Sequence, residues 1–530
     1  MKKIFTLLLI SGLAAGIFAG CSSGKAQEAA GSTDSIGSAG VSGETSSGAS
    51  SGGKVFTYAR DSSTTSFDLH REITMNNAFA IDKVFEPLVI FDQDGNITDW
   101  LAKDHSISSD GLTYTFTLRD GVQFSDGTPM TAKDVVYSIN RHLSTDGPLP
   151  LQGEISNVSA PDDHTVVITL GSAYTPFLAE LANFSNGILP ENLEGKSEED
   201  FFKNPVGTGP FAVSSWDPSG DLTFVKNEHY WREGEPKIDK LVYKTVSDGN
   251  QALNQLKAGE VDAVESLSYA NAEAVNSAAD TRVLTSGSWN VEELFFNTLD
   301  EHFSDVHVRQ ALAQAIDREN LTKALTFGYG ETANTILPNA IRYNTSDTVN
   351  ALAFHTDAAK QELSESAYPD GFSTSILIPS GNNTRLQEAQ IIQAAGQSIG
   401  ITIQIDQQET AAFRDSFMNL NYSMMINSAT ADYPDADSIF SFQVDPDGFS
   451  KCYWTSYHSD DAAALWKEGQ TEPDGDSRAK TYADLQQLLA EDVPYLPLYY
   501  PNVCIGVRSN VSGLEVLPNG SARFNDVTLN

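Results

Sequence analysis

The sequence is poor in cysteine, holding only Cys21, Cys452 and Cys504 in 530 residues. A disulfide-stapled scaffold is therefore excluded, and the fold must stand on packing. Basic residues are also scarce: 33 Lys and Arg face 71 Asp and Glu, a net charge of −38. Such a surface repels nucleic acid and anionic lipid headgroups, while it favours solubility and cationic ligands. Catalytic signatures are missing as well. The chain has no GK[ST] phosphate loop, no HExxH and no CxxC, and its nine histidines lack metal-ligand spacing. Gly328, Gly330 and Ala333 mimic a dinucleotide loop, but they follow a helical pattern rather than a strand. Two G-x-S-x-G matches, at 20–24 and 48–52, lack the flanking strand and helix of a nucleophile elbow. Paired acids are uninformative, because an acidic chain produces them by chance. No cofactor is implied, and no enzyme is expected.

What is present begins with an export signal. Lys2 and Lys3 precede an apolar centre, and small residues close residues 1–20. That run is too short and too Gly-interrupted for a comfortable membrane span. Residues 21–53 are dominated by Ser, Gly, Ala and Thr, which bury too little apolar surface to order themselves. As a coil the segment spans about 30 Å, the length of a tether. A body of this length exceeds one hydrophobic core, so two or three lobes are expected.

From Lys54 the chain alternates strand and helix patterns. Residues 114–118 alternate in a half-buried strand, and Thr131 is placed to cap a helix whose apolar side carries Val135, Val136 and Ile139. Residues 373–378 read as a strand, 386–399 as a helix stopped by Gly400, and 401–405 as the next strand. These β-α-β units predict a mainly parallel sheet with helices on both faces. Cys452 and Cys504 are the one possible pair in the body, which their separation alone does not establish.

Residues 114–141, YTFTLRDGVQFSDGTPMTAKDVVYSINR, carry a resemblance to a known family. They resemble the signature of the extracytoplasmic solute-binding proteins of peptide-type ABC importers, solute-binding family 5, which includes oligopeptide-, dipeptide- and nickel-binding proteins. The resemblance continues in order through NPVGTGPF at 204–211, Tyr230-Trp231, GEVD at 259–262, DVHVRQALAQAIDREN at 305–320 and DVPYLPLYY at 492–500. It implies an α/β fold, two-lobed and periplasmic-binding-protein-like (type II, large class), with a hinge and a small β-rich subdomain. On this expectation, 54–92, 205–292 and 495–530 form lobe I, with 93–204 inserted into it, and 293–494 form lobe II. Phe18-Ala19-Gly20-Cys21 resembles a lipobox, although relatives usually place Leu where Phe18 stands. Cys21 would then carry a lipid anchor on the outer face of the cell membrane. The implied partners are a small-molecule or peptide ligand and a permease with cytoplasmic ATPases, served by a monomer.

The ligand is expected at residues 422–438, YSMMINSATADYPDADS, where a buried strand gives way to an acidic, aromatic loop. In open α/β sheets, ligands bind beyond the carboxyl ends of strands. In peptide-binding relatives an aspartate in an Ala-Asp-Tyr motif holds the α-ammonium group, a role the resemblance carries to Asp432, with Tyr433 beside it. Relatives often have tryptophan three residues ahead and some place arginine six ahead; here those positions hold Ala429 and Ile426. The competing reading has Asp432 cap a helix beginning near Pro434. Further ligand candidates are Trp289 and Asn290 at a lobe crossing, Phe67 in the segment resembling Leu-Asp-Pro, Trp454, and Arg385 as a partner for a carboxylate. A nickel chelate, a cationic metabolite or an oligosaccharide stays open as the solute, as does a sensory role.

Overall fold

The structure is a computed structural model that describes residues 53–72, 74–149, 151–448 and 450–530. The expected signal sequence and tether, with Cys21, lie outside the described residues. Three sheets organise the body. A seven-stranded sheet is built from Val55–Arg60, three strands between 211 and 245, Ala263–Val264, Thr281–Ser286 and Val503–Arg508. A six-stranded sheet holds Asn290–Phe296, Gly330–Thr332, Ser373–Pro379, Thr402–Gln408, Met424–Thr430 and Tyr495–Pro501. A four-stranded antiparallel sheet lies wholly within residues 102–170.

The centre of the six-stranded sheet shows why near-continuous apolar runs fold as strands. Along Asn290–Phe296, Leu294 and Phe296 point into one core and Val291 and Phe295 into another. In Met424–Thr430, Met424 and Ile426 join the first core and Met425 the second. Period-two alternation with both faces covered removes the polar face an open sheet would show. The mainly parallel arrangement expected from the sequence holds only locally. Ser373–Pro379 runs parallel to both Thr402–Gln408 and Met424–Thr430, as the β-α-β pattern requires. The long strands Asn290–Phe296 and Tyr495–Pro501 enter from the other sheet's side of the chain and pair antiparallel. Residues 495–530, taken from the sequence as one piece, divide at Asn502: Tyr495–Pro501 joins the six-stranded sheet and Val503–Arg508 the seven-stranded one.

The four-stranded sheet buries alternate residues of Thr113–Leu118 and Thr165–Leu170 beneath helix Ala132–Ser144. That helix starts where the Asp134 carboxylate accepts the Thr131 N–H at 2.7 Å, the returning half of a capping box. Phe116 is fully buried there, and Phe116→Ala would cost about 3–5 kcal/mol through the cavity it leaves.

Several sequence landmarks have structural jobs. Arg309 donates to the carbonyls of Asp492 and Phe303, at 2.9 and 2.7 Å, and Arg318 to that of Pro497 at 3.1 Å. Both clamp the Tyr495–Pro501 region to its helices. At Gly207 and Gly209 the backbone passes so close to the carbonyls of Val84 and Lys83 that no Cβ fits. Cys452 and Cys504 are buried free thiols belonging to different cores, so they form no disulfide. Among the described residues, no helix is long and apolar enough to cross a membrane.

Candidate functional site

The strand Met424–Thr430 runs four residues beyond the apolar stretch read from the sequence, and the acidic loop begins at its end. Asn290 donates its side-chain amide to Thr430 Oγ1 at 3.1 Å, and the Ala431 N–H donates to the Trp289 carbonyl at 2.9 Å. The strand end is thereby fixed against its neighbour. Ser438 Oγ then accepts the N–H groups of Asp432 and Tyr433, which turns the loop back on itself.

The loop's three carboxylates have different surroundings. Asp435 is buried and accepts both terminal nitrogens of Arg478, at 2.7 and 2.8 Å. Asp437 is buried and accepts the hydroxyls of Tyr174 (2.6 Å) and Tyr433 (3.1 Å) and the indole N–H of Trp466 (2.7 Å). Asp432 makes only backbone contacts, among them its carbonyl with the Asn183 amide at 2.8 Å. Its carboxylate has no ion pair or side-chain hydrogen bond among the described residues. The group is open to solvent yet surrounded by protein, and that enclosure pushes its pKa up to about 6. It remains largely ionised at neutral pH. The capping role does not occur: the helix is Asp437–Gln443, and Asp435 Oδ1 receives its first N–H at 2.9 Å.

Asp432 faces a cavity of about 390 Å³ whose other wall comes from residues 142–186, through His142, Gln152, Glu180, Asn183 and Asn186. Glu180 accepts the N–H groups of Gln152 and Gly153, and burial pushes its carboxyl up to about 8. His142 sits between the Leu149 carbonyl and the Asn186 amide, and burial lowers its pKa. Asp445 and the hydroxyls of Ser438, Ser441 and Ser450 complete a polar lining with Phe442 beside it. Sequence reasoning missed this whole wall. Its residues lie some 250 positions from Asp432 and carry no motif, though Asn183 and Glu180 are polar residues among apolar neighbours.

A second, larger cavity of about 930 Å³ lies where the seven- and six-stranded sheets meet. Trp289, Asn290 and Thr430 form part of its wall, with Tyr269, Phe327 and Gln387. The Trp289 indole N–H and Asn290 Oδ1 are buried without partners among the described residues. Asp432 and Tyr433 thus line one cavity, and Trp289, Asn290 and Thr430 the other.

The remaining sequence candidates lie elsewhere. Phe67 is fully buried edge-on to Trp216, with ring centroids 5.0 Å apart, and lines neither cavity. Trp454 packs against Phe417 in the core and also lines neither. Arg385 pairs with Glu292 at 2.7 Å, its side chain mostly buried, and lines neither cavity. Glu388, on the same helix, accepts the Tyr499 hydroxyl at 2.6 Å and extends the polar network around the pair. One described grouping has the donors for a metal ion: His307 with Glu362 and Glu365, on two neighbouring helices and outside both cavities.

Comparison with known proteins places this geometry. Residues 96–451 match the family model described as bacterial extracellular solute-binding proteins, family 5 Middle. The glutathione-binding protein GsiB of Salmonella typhi is 27% identical over 471 residues, covering 86% of this chain and 90% of that protein. The periplasmic binding protein DppA of Helicobacter pylori, solved with the peptide STSA, is 26% identical with a TM-score of 0.76, covering 90% of this chain and 98% of that one. The ABC transporter substrate-binding protein CtaP of Listeria monocytogenes superposes with a TM-score of 0.83 at 24% identity, over 90% of this chain and 99% of that one. The fold is the type II periplasmic-binding-protein fold expected from the sequence.

Proposed function

The chain belongs to the bacterial extracellular solute-binding proteins, family 5, and we propose that its solute is a small peptide, captured between two closing lobes and delivered to an ABC importer. One observation carries this reading. Of three carboxylates in the loop after Met424–Thr430, two are matched inside the protein, and Asp432 alone faces a cavity unmatched. A carboxylate surrounded by protein without a partner has a raised pKa, and a ligand ammonium group offers it a charge-assisted hydrogen bond. The relatives that bind glutathione and the peptide STSA are consistent with a peptide amine in that place.

The two large sheets are taken as the lobes and residues 93–204 as the insertion that supplies the facing wall. Closure by hinge motion is favoured because contacts to both walls exist together only in the closed state. Moving such an equilibrium from 1:99 to 99:1 takes about 5.5 kcal/mol of differential binding. An ammonium–carboxylate pair and a few polar contacts supply energy of that order. The loaded form docks on a permease driven by cytoplasmic ATPases, and Cys21 carries the lipid that keeps the protein at the outer face of the membrane. It acts as a carrier rather than an enzyme.

The test is native mass spectrometry of the purified protein, followed by a thermal-shift screen of peptides, metals and sugars. The expected result is a copurified peptide, recovered chemically unchanged, whose binding is lost in Asp432→Asn. Binding of neutral glycans alone would overturn the peptide assignment. Cys21→Ser is expected to release the protein from membranes; retention would place the anchor elsewhere.

A further inference from the structure

The walls of both cavities lack cations. Among the described residues, neither Lys nor Arg lines the 390 Å³ cavity or the 930 Å³ cavity. Arg60, Arg141 and Arg385 stand next in sequence to lining residues, Arg478 is bound to the loop that carries Asp432, and all four are already matched. Arg385 pairs with Glu292, Arg60 with Glu265 at 2.9 Å, Arg141 with Asp68 and Glu198, and Arg478 with Asp435 and Asp474. Amide donors are partly engaged too: Asn183 donates to the Asp432 carbonyl and Asn186 to the Glu180 carbonyl, each at 2.8 Å. The acids in these walls are Asp432, Glu180 and Asp445 in one cavity, with Asp61 and Glu265 in the other. Glu265 is matched by Arg60 and burial keeps Glu180 largely protonated near pH 7, so a peptide carboxylate finds no opposite charge in either wall and meets the like charge of Asp432 in the smaller one, whereas each added positive group is attracted. The net charge of −38 extends the same preference to the approach from solvent.

We propose that this binding protein selects net-cationic peptides, holding the amine at Asp432 and leaving the C-terminal carboxylate unclamped, so that anionic glutathione is a poor ligand. The inference rests on the peptide reading above and narrows it to a charge class. It separates this chain from the relative that binds glutathione, which carries two carboxylates and one ammonium group.

Isothermal titration calorimetry of the purified full-length chain tests it with Ala-Lys-Ala amide, Ala-Lys-Ala, Ala-Ala-Ala, N-acetyl-Ala-Ala-Ala, glutathione and maltotriose. Ala-Lys-Ala amide is expected to bind at least as tightly as Ala-Lys-Ala, and about ten-fold tighter than Ala-Ala-Ala. Glutathione is expected to bind about a hundred-fold more weakly than Ala-Lys-Ala amide, and N-acetylation to abolish binding. A loss of ten-fold or more on amidation, or glutathione outbinding Ala-Lys-Ala amide, would overturn the charge inference and leave the peptide reading standing. Binding of maltotriose with none of the peptides would overturn both.

Discussion

Arg385 and Glu292 face one another at 2.7 Å, from the start of helix Asn383–Ser398 to the middle of strand Asn290–Phe296, and both side chains are almost wholly buried. The guanidinium also lies 3.3 Å from Ser428 Oγ on the next strand. The pair ties a helix to two strands of the six-stranded sheet and engages the Arg385 guanidinium through Nε and one terminal nitrogen. Arg385→Leu leaves Glu292 buried without its partner, and breaking such a pair costs about 3–5 kcal/mol. Urea denaturation should show an unfolding free energy lowered by about that amount, while affinity for Ala-Ala-Ala stays within about two-fold. The double variant Arg385→Leu with Glu292→Leu should recover much of the loss. A ten-fold fall in affinity without destabilisation would make Arg385 a ligand residue after all.

A similar division of labour separates Asp435 from Asp432. Arg478 is completely buried and offers both terminal nitrogens to Asp435 and one to Asp474. Arg478→Met removes the counter-charge from a carboxylate that is itself buried, so the loop's anchor is lost at about 3–5 kcal/mol. Asp432→Asn should do the opposite, because an enclosed carboxylate without a partner opposes folding. Its melting temperature is expected to equal or exceed that of the parent chain while amine-dependent binding falls about a hundred-fold. A calorimetric melt beside a titration separates the two variants: one loses stability first, the other affinity first.

The contrast between these acids shows where sequence reading stops. The strands around Phe116, Ile376 and Met425 were legible because period-two burial leaves its mark within a few residues. The capped helix Ala132–Ser144 was legible for the same local reason. Asp432, Asp435 and Asp437 stand within six residues and look alike in sequence. What distinguishes them are Arg478, Trp466 and Tyr174, which reach the loop from 29 to 263 positions away. Phe67 and Trp454 misled in the same manner, since an aromatic in a core and one in a pocket share a one-letter code. The antiparallel strands were missed because Asn290–Phe296 and Tyr495–Pro501 pair with partners distant in the chain.

Tyr174 tests whether the segment around it is held to the loop as the geometry indicates. Its hydroxyl lies 2.6 Å from Asp437 and 3.0 Å from the Tyr433 hydroxyl, linking residues more than 250 positions apart. Tyr174→Phe deletes one donor to a buried carboxylate, which retains Trp466 and Tyr433. The expected loss is about 1.5–3 kcal/mol, the usual worth of a hydrogen bond to a charged group. Hydrogen exchange should rise on both sides of the contact, near 174–183 and near 432–438. Faster exchange on one side only would show that the two segments are not coupled.

The pH dependence of binding follows from the two carboxyl groups of the smaller cavity. Enclosure raises Asp432 from 3.8 to about 6, and burial raises Glu180 from 4.5 to about 8. Facing them are Asp445, Tyr433 and His142, the last held neutral by burial near pH 7, while Tyr453 feels the Asp432 charge from outside the lining. For folding, a raised carboxyl pKa means that the native state keeps a proton the unfolded chain has released. The stability contribution of Asp432 therefore falls as pH rises from about 4 to about 6, then levels. Binding of an amine runs the other way, because only the ionised carboxylate attracts it. Affinity should fall by up to about ten-fold per unit below pH 6, and Asp432→Asn should flatten that step. Near pH 7 an approaching cation also draws the proton from Glu180. Calorimetry in two buffers of different ionisation enthalpy should then register proton release on binding, and Glu180→Gln should remove it. Affinity for Ala-Lys-Ala amide that does not change between pH 5 and 8 would exclude both carboxyls from the contact.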